Sequence, residues 1–216
     1  MSPSTGENEM DPERALREKL LTFATSKRYD DEIARAFNMF WGGRRSLAGS
    51  RLDEADSSRF LEWYMFDYRT ERYGKALVEL FREFRGHTLP DDQRELLRQW
   101  RQTRFGMYEL TSVRETTLTL RDVFENDVLT VENLGKYPGG EGDLLLGRIL
   151  SGGHVLHLSG TVIRIPNPIK ETVKQRLTEL FKEYGQTVRD PRWRSFFREW
   201  GHRVNQFLID LRDGRA

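Results

Sequence analysis

The apolar residues of the chain follow three successive patterns. Helical spacing dominates the first hundred residues, alternation takes over near Gly106, and helical spacing returns after the Pro166-Asn167-Pro168 stop. Apolar residues three or four positions apart indicate one face of a helix, whereas alternation indicates a half-buried strand. The pattern therefore predicts a run of helices, then a group of strands, then helices again.

Five helices are expected in the first segment. Apolar stripes and capping residues place them at about 12–26, 30–41, 53–69, 75–84 and 90–100. The third contains the most aromatic stretch of the chain, RFLEWYMFDYR, from Arg59 to Arg69. A glycine-rich loop, GGRRSLAGS, separates it from the second helix. This segment predicts a helical bundle.

Between Met107 and Ile165, leucine and valine alternate with threonine and histidine, which predicts five or six short strands. Hairpin turns are expected at Ser151-Gly152-Gly153 and Ser159-Gly160, with a longer connection at 138–142. About sixty residues suffice only for a small barrel or curled sheet. We therefore expect this module to dock on the helices.

Two helices close the chain, one from Asn167-Pro168 to Gly185 and one that begins at a cap formed by Asp190-Pro191. The apolar face of the last helix is wide and needs a large partner surface, either the bundle of the same chain or a second copy in a homodimer. The sequence thus predicts an α+β protein: a helical bundle, an inserted small antiparallel β-barrel-like module and two closing C-terminal helices. The expected divisions are a disordered tail at 1–10, the bundle at 11–105, the β module at 106–166 and the closing helices at 167–216.

Composition narrows the class of protein. The 216 residues include 35 Lys and Arg against 34 Asp and Glu, so the formal net charge of +1 gives no general attraction for nucleic acid or anionic membranes. Cysteine is absent, which excludes disulfides, thiolate zinc sites and a cysteine nucleophile and favours a cytoplasmic protein. The first residues lack the apolar core of a signal peptide, and no apolar run approaches the roughly twenty residues that span a bilayer. Secretion and membrane insertion are not expected.

Arginine supplies 28 of the 35 cationic residues. Its planar guanidinium suits paired hydrogen bonds to carboxylate or phosphate. Ion-pair networks or codon bias explain the same preference without any ligand. Between residues 185 and 216, seven arginines stand against four carboxylates, so contacts with phosphate are expected only locally.

No catalytic or metal-binding signature is found. His154 and His157 lie three apart in a strand and so project to opposite faces, which argues against a shared metal. The segment PGGEGD at 138–143 lacks the lysine and hydroxyl of a phosphate-binding loop. Asp67 and Glu71 are expected one helical turn apart, with the neighbouring arginines at 69 and 72 as ion-pair partners. We expect no cofactor and no metal.

Several segments resemble an uncharacterised bacterial family. They are RFLEWYMFDYR (59–69), MYELTSV (107–113), LTLRDVFENDVLTV (118–131), GDLLLGRIL (142–150) and LSGTVIRIP (158–166). Similar segments occur in proteins with a C-terminal zinc-binding SEC-C motif, but that motif needs cysteines, so its zinc cannot be carried over. The resemblance implies this architecture in a cytoplasmic setting and supplies no assigned reaction.

Three functional hypotheses follow. The first, favoured because no catalytic motif is found, is a cytoplasmic binding or adaptor protein that contacts nucleic acid or a protein partner through the β module, a basic helix face or both. The second is an enzyme with a cleft between the β module and the helices, with Asp67, Asp122 or Asp143 as candidate acids. The third is a scaffold that self-associates through the last helix. The residues expected to contact a partner are Arg44, Arg45, Tyr108, Tyr137, Arg148, Arg164, Arg192, Arg194, Arg198 and Arg203.

Overall fold

Five helices, six strands and two further helices follow one another in the computed structural model, over the residues that it describes, 11–45, 47, 52–134 and 140–215. The helices are α1 (Pro12–Ala24), α2 (Asp30–Trp41), α3 (Glu54–Phe66), α4 (Leu77–Arg85), α5 (Asp91–Gln99), α6 (Lys170–Gly185) and α7 (Trp193–Arg212). The strands are β1 (Arg104–Val113), β2 (Thr117–Asp122), β3 (Val128–Glu132), β4 (Leu144–Ser151), β5 (Leu156–Leu158) and β6 (Ile163–Ile165). The expected α+β class is confirmed.

The boundary between α3 and α4 differs from the expected one. The third helix ends at Phe66, because residues 69–76 form a short hairpin in which Arg69 pairs with Ala76. Because the hairpin includes residues 75 and 76, α4 begins at Leu77 and not at the expected residue 75. Three predicted features fall wholly or partly outside the described residues: the tail at 1–10, the loop after Arg45 and the connection at 135–139.

Five of the strands close into a barrel in the order β1-β2-β3-β5-β4, with β4 pairing back onto β1. Neighbouring strands are antiparallel except for β3 and β5, which are parallel at Glu132 and His157. One cluster of buried side chains fills the barrel: Tyr108, Leu110, Leu118, Leu120, Val131, Leu145 and Ile149. The small β module is therefore a closed barrel with its own core.

The Ser159-Gly160 segment does not form the expected hairpin turn. Strand β5 pairs with residues 149–151 of β4, and β6 pairs with residues 144–146 of the same strand. Because β1 occupies the other edge of β4, β5 and β6 lie in line along one edge. The segment therefore joins two collinear strands instead of two paired ones.

Strand β4 is buried on both faces and docks the barrel onto the helices. Leu145 and Ile149 belong to the barrel core, whereas Leu146 packs with α6 and α7, and Leu150 packs with α1, α4 and α5. Successive strand residues alternate between faces. Arg148, two residues from Leu146 and two from Leu150, therefore also faces the helices.

The last helix connects the barrel to the bundle. Phe196 and Val204 are buried in the cluster that α7 shares with the barrel and α6. Further along, Asn205 Nδ2 donates to the carbonyl of Phe40 on α2 (3.2 Å), and Ile209 lies in the bundle core. The chain itself thus covers this apolar face. None of the helices in the described residues is both long and apolar enough to cross a bilayer.

A largely buried pair of charged groups ties α1 to the barrel. His157 Nε2 lies 2.8 Å from Glu13 Oε2, and His157 Nδ1 lies 3.1 Å from the Leu158 carbonyl oxygen. Both ring nitrogens face acceptors, which suits a doubly protonated imidazolium. Burial opposes the charged form of each group, but the hydrogen bond between them prevails. The pKa of His157 is raised from 6.5, and the pKa of Glu13 is lowered from 4.5.

We expect this pair to make stability depend on pH. The raised pKa of His157 contributes stability that is complete below 6.5 and is lost as pH rises through the folded-state pKa. The lowered pKa of Glu13 contributes stability that is complete above 4.5 and is lost as pH falls through its folded-state pKa. Thermal unfolding measures this dependence. The substitution His157→Gln should lower the Tm by more at about pH 5.5 than at about pH 8. Equal losses at the two pH values would contradict the assignment, and His154→Gln, at an exposed position, serves as the control.

Candidate functional site

A cleft of about 330 Å³ opens between the barrel and the helices. Its walls come from the end of α3, the hairpin after it, the first turns of α4, the segment between α5 and β1, and the first turns of α7. Seven arginines line the cleft against two carboxylates. They are Arg69, Arg82, Arg101, Arg104, Arg148, Arg194 and Arg198, against Asp67 and Glu79. The cleft is thus strongly positive in a chain of nearly neutral net charge.

Arg148 forms the floor of the cleft, with a side chain that is 2% exposed. Its Nε donates to Glu62 Oε1 (3.2 Å), and its Nη1 donates to Thr103 Oγ1 (2.9 Å). Its Nη2 donates to Asp67 Oδ2. Every guanidinium nitrogen therefore has an acceptor, which is the condition under which a buried arginine is tolerated.

Asp67 is the acidic group of the floor that lines the cleft directly. It follows the last residue of α3, and its N–H still bonds to the carbonyl of Trp63 (2.9 Å), so the helix end fixes its position. Burial raises the pKa of Asp67 to about 6, although the nearby Arg148 opposes the change. Because Glu62 binds the same guanidinium, the floor holds two carboxylates for one arginine.

Most arginines at the mouth of the cleft have no carboxylate partner. Arg104 and Arg198 form ion pairs of 3.2 and 3.1 Å with partly exposed carboxylates. Arg69 and Arg194 donate only to main-chain carbonyl oxygens, at 2.9 and 3.2 Å. Four arginines lack a carboxylate partner within the described ranges: Arg69, Arg82, Arg101 and Arg194.

Local structure explains how these arginines converge. Arg194 and Arg198 lie one turn apart on α7, so they share a face of that helix. Arg69 is carried by the hairpin that follows α3, and Arg82 lies on α4, which follows the same hairpin. The docking of the barrel through β4 then places all of them around one opening.

The structure brings only some of the predicted contact residues together. Arg148, Arg194 and Arg198 line the cleft. The remaining arginines lie outside it and are each paired with a carboxylate: Arg44 with Asp210, Arg45 with Asp56, Arg164 with Asp143, Arg192 with Asp190, and Arg203 with Glu183. Each of these arginines therefore has a carboxylate partner, although Asp56 is shared with Arg59 and Arg212. Asp190, expected to cap the last helix, binds the Arg192 side chain, and Arg192 itself is the N-cap.

Two of the predicted contact residues are buried instead of exposed. Tyr108 is 1% exposed and lies in the barrel core, where its hydroxyl donates to the carbonyl of Arg104 (3.1 Å). The alternation of β1 turns this ring inward, so a partner on the outer surface cannot reach it. Arg148 is enclosed between the barrel and the helices. Tyr137 lies outside the described residues.

The carboxylates at 67 and 71 are not one helical turn apart, because α3 ends at Phe66. Neither uses the neighbouring arginines that were expected as partners. Asp67 pairs with Arg148, and Glu71 pairs with Arg35 (3.3 Å). The pairing of Asp67 is therefore long-range and depends on the docking of the barrel.

The other two candidate acids stabilise turns. Asp122 Oδ1 accepts the N–H groups two and three residues later, each at 2.9 Å, and so holds the turn after β2. Asp143 Oδ2 accepts the N–H of Gly140 (2.8 Å), which together with Arg164 lowers the pKa of Asp143. A lowered pKa keeps this group ionised, so it is a poor proton donor at neutral pH.

The cleft differs from two open grooves of about 560 and 520 Å³ beside β6. The arginines of these grooves are all ion-paired: Arg14, Arg17, Arg59, Arg164 and Arg212. In the described part of the chain, no group of three or more histidine or acidic side chains is arranged to hold a metal. Unpaired positive charge therefore distinguishes the arginine-lined cleft.

The enzyme hypothesis expected a cleft between the β module and the helices with Asp67 among its acids, and the structure has a cleft at that place that Asp67 lines. The sequence did not indicate that arginines line it, although one signal pointed to its floor. The run LLLGRIL from 144 to 150 is almost entirely apolar, as in a strand that is buried on both faces. An arginine inside such a run is expected to be buried and paired. No similar signal marks Arg69, Arg82 or Arg101, because they meet only through tertiary packing.

Comparison with known proteins identifies a family. No curated protein and no solved structure is significantly similar to the chain. A family model described as a family of unknown function (DUF7986) matches residues 11–199. This match confirms the expectation of an uncharacterised family, while the relation to SEC-C motif proteins stays a prediction. Because it spans the bundle, the barrel and α6, the chain belongs to the family of unknown function DUF7986.

Proposed function

We propose that this protein is a cytoplasmic binding protein whose cleft holds a small phosphorylated ligand. The observation that supports the proposal is the charge of the cleft, which has seven arginines and two carboxylates in its lining. Neighbouring guanidinium groups repel one another, and the repulsion is stronger beside low-dielectric protein than in water. An anion in the cleft relieves this repulsion.

Phosphate suits these side chains because its oxygens can accept from several guanidinium groups at once. A guanidinium offers a planar fork of donors that binds two oxygens of one phosphate. No lysine of the described residues lines the cleft, so its positive charge is provided by such forks alone. Apolar side chains, among them Phe66, Val78 and Leu97, form part of the wall and concentrate the electric field in the opening.

The dimensions favour a small ligand over nucleic acid. A volume of about 330 Å³ lies at the lower end of the range of about 300–1,000 Å³ that is typical of small-molecule pockets. A nucleic acid needs an extended basic surface. The arginines outside the cleft that were expected to supply it, such as Arg44 and Arg203, are paired with carboxylates.

An enzyme is the second candidate, and the raised pKa of Asp67 supports it. A carboxyl group with a pKa of about 6 is partly protonated near neutral pH, as a general acid must be. Glu62, the nearest second carboxylate, is bound to Arg148 together with Asp67. It is therefore not free to activate a water molecule, and binding is the better-supported function.

Titration calorimetry with pyrophosphate as the probe tests the proposal. We expect pyrophosphate to bind and to raise the Tm. Replacing Arg82, Arg101 or Arg194 individually with glutamine should weaken binding about tenfold, because each change removes a charge-assisted hydrogen bond of roughly 1.5 kcal/mol.

The matched control is Arg176→Gln on α6, which makes the same change of charge where Arg176 pairs with Glu179 (3.0 Å). It should bind pyrophosphate like the wild type. No binding by the wild-type protein, or equal weakening in the control, would refute the proposal. Stronger binding of a single-stranded oligonucleotide that Arg192→Gln weakens would favour nucleic acid instead, and release of inorganic phosphate would favour the enzyme.

A further inference from the structure

We infer further that the ligand carries a hydrogen-bond donor, an ammonium or hydroxyl group, at the end opposite its phosphate, and that Asp67 binds this donor. The inference rests on the proposed function, because it concerns the same cleft. It adds the chemical class of the ligand: a phosphate monoester with a polar donor at its other end.

The first support is the free acceptor on Asp67. Its side chain is 4% exposed and lines the cleft, and Oδ2 accepts from Arg148. Within the residues described, Oδ1 accepts no hydrogen bond. Because Oδ1 faces the cleft and not a protein donor, it is available to a donor on the ligand, and a hydrogen bond to a carboxylate is among the stronger ones.

The second support is the opposite charge of the two ends of the cleft. At the floor, Glu62 and Asp67 outnumber Arg148, whereas the mouth is lined by arginines such as Arg82 and Arg194. A phosphate at the floor would contact Asp67, with the second carboxylate of Glu62 bound to the same Arg148, and like charges in close contact are strongly unfavourable. The phosphate therefore belongs at the mouth, and a neutral donor or a cation belongs at the floor.

Binding of a cationic donor also changes the protonation of Asp67. The charged groups that face Asp67 are Glu62 on α3, Arg148 on β4 and Arg198 on α7, with Glu79 and the mouth arginines across the cleft. Burial raises the pKa of Asp67 to about 6. An ammonium group favours the ionised carboxylate and so lowers this pKa. Binding near pH 6 should therefore release protons from Asp67.

The test compares phosphoethanolamine with ethyl phosphate by calorimetry. Both are phosphate monoesters of similar size, and only the first has an amine, so the ratio of their affinities isolates the contribution of the donor. We expect phosphoethanolamine to bind about tenfold more tightly to the wild type at about pH 7.5. In Asp67→Asn this ratio should fall towards one, while Asp190→Asn, at an exposed acid, should retain it.

A pH series on the wild type keeps the inference testable even if Asp67→Asn does not fold. The affinity ratio should fall as pH drops through about 6, where Asp67 becomes protonated. Both phosphates also ionise near that pH and release protons when they bind arginines. Calorimetry near pH 6, in two buffers of different ionisation enthalpy, should therefore show that phosphoethanolamine releases more protons than the ionisation of its own phosphate accounts for, whereas ethyl phosphate should show no such excess. Equal affinities for the two esters, or a preference that persists in folded Asp67→Asn, would overturn the inference and leave the proposed function standing. Failure of pyrophosphate and of both esters to bind would overturn the two together.

Discussion

Replacing Arg148 by methionine is expected to destabilise the fold by about 3–5 kcal/mol. The substitution leaves the carboxylates of Glu62 and Asp67 without their shared guanidinium, and their side chains are only 8% and 4% exposed. An uncompensated buried charge is strongly unfavourable, and Asp67, whose pKa is already raised by burial, should take up a proton more readily in this variant. Urea unfolding at neutral pH measures the change in the free energy of unfolding.

The control for this prediction is Arg192→Met, at an arginine whose side chain is 73% exposed in its pair with Asp190. It should change stability by less than about 1 kcal/mol. Adding Glu62→Gln and Asp67→Asn to Arg148→Met should recover part of the loss, because the unpaired charges are then removed. If Arg148→Met lowers the free energy of unfolding as little as the control does, the floor of the cleft is not a buried ion cluster.

The second large effect is expected for Trp193→Ala, at about 3 kcal/mol of destabilisation. The indole of Trp193 lies between two rings, with centroid distances of 3.8 Å to Phe124 and 4.0 Å to Phe181, and it is nearly parallel to both. Phe124 follows β2 of the barrel, and Phe181 lies on α6, so this stack ties the closing helices to the barrel. Removing the indole leaves both rings without their common partner.

Differential scanning calorimetry measures this loss and also tests the proposed division of the chain at about residues 106 and 167. Trp193→Phe, which keeps a ring between the other two, should lose less than half as much stability. Broadening or splitting of the transition in Trp193→Ala would indicate that the barrel and the helices unfold separately once the stack is removed. A Tm unchanged by Trp193→Ala would contradict the role of the stack.

The order of elements could be predicted because its signals are local. Apolar spacing identifies α1, α2 and α6. Asp11 followed by Pro12 identifies the start of α1. In the structure, Asp11 Oδ1 accepts the N–H of Glu13 there (3.2 Å). The predicted helix boundaries were wrong where a non-local contact ends the helix. The pairing of Arg69 with Ala76 ends α3 three residues before the expected position, and helical propensity carries no information about that pairing.

The candidate site was predictable only in fragments. Arg194 and Arg198 were expected to contact a ligand because α7 is locally rich in arginine, and they do line the cleft. The same helix also suggested Arg203, and the basic loop after α2 suggested Arg44, but each of these two forms an ion pair with a carboxylate of another segment. The number of charges along a segment does not tell whether an arginine lines the cleft or forms an ion pair elsewhere. That depends on which residues another segment places beside it.

By itself, the sequence determined the succession of helices and strands, the α+β class and the lack of any cysteine chemistry. These properties depend on neighbouring residues and on composition, so they can be read along the chain. Only the tertiary structure decided that β4 carries Arg148 against Asp67 and that arginines from four separate segments surround one opening. Charge interactions act through space and depend on burial, and both are set when the barrel docks on the helices.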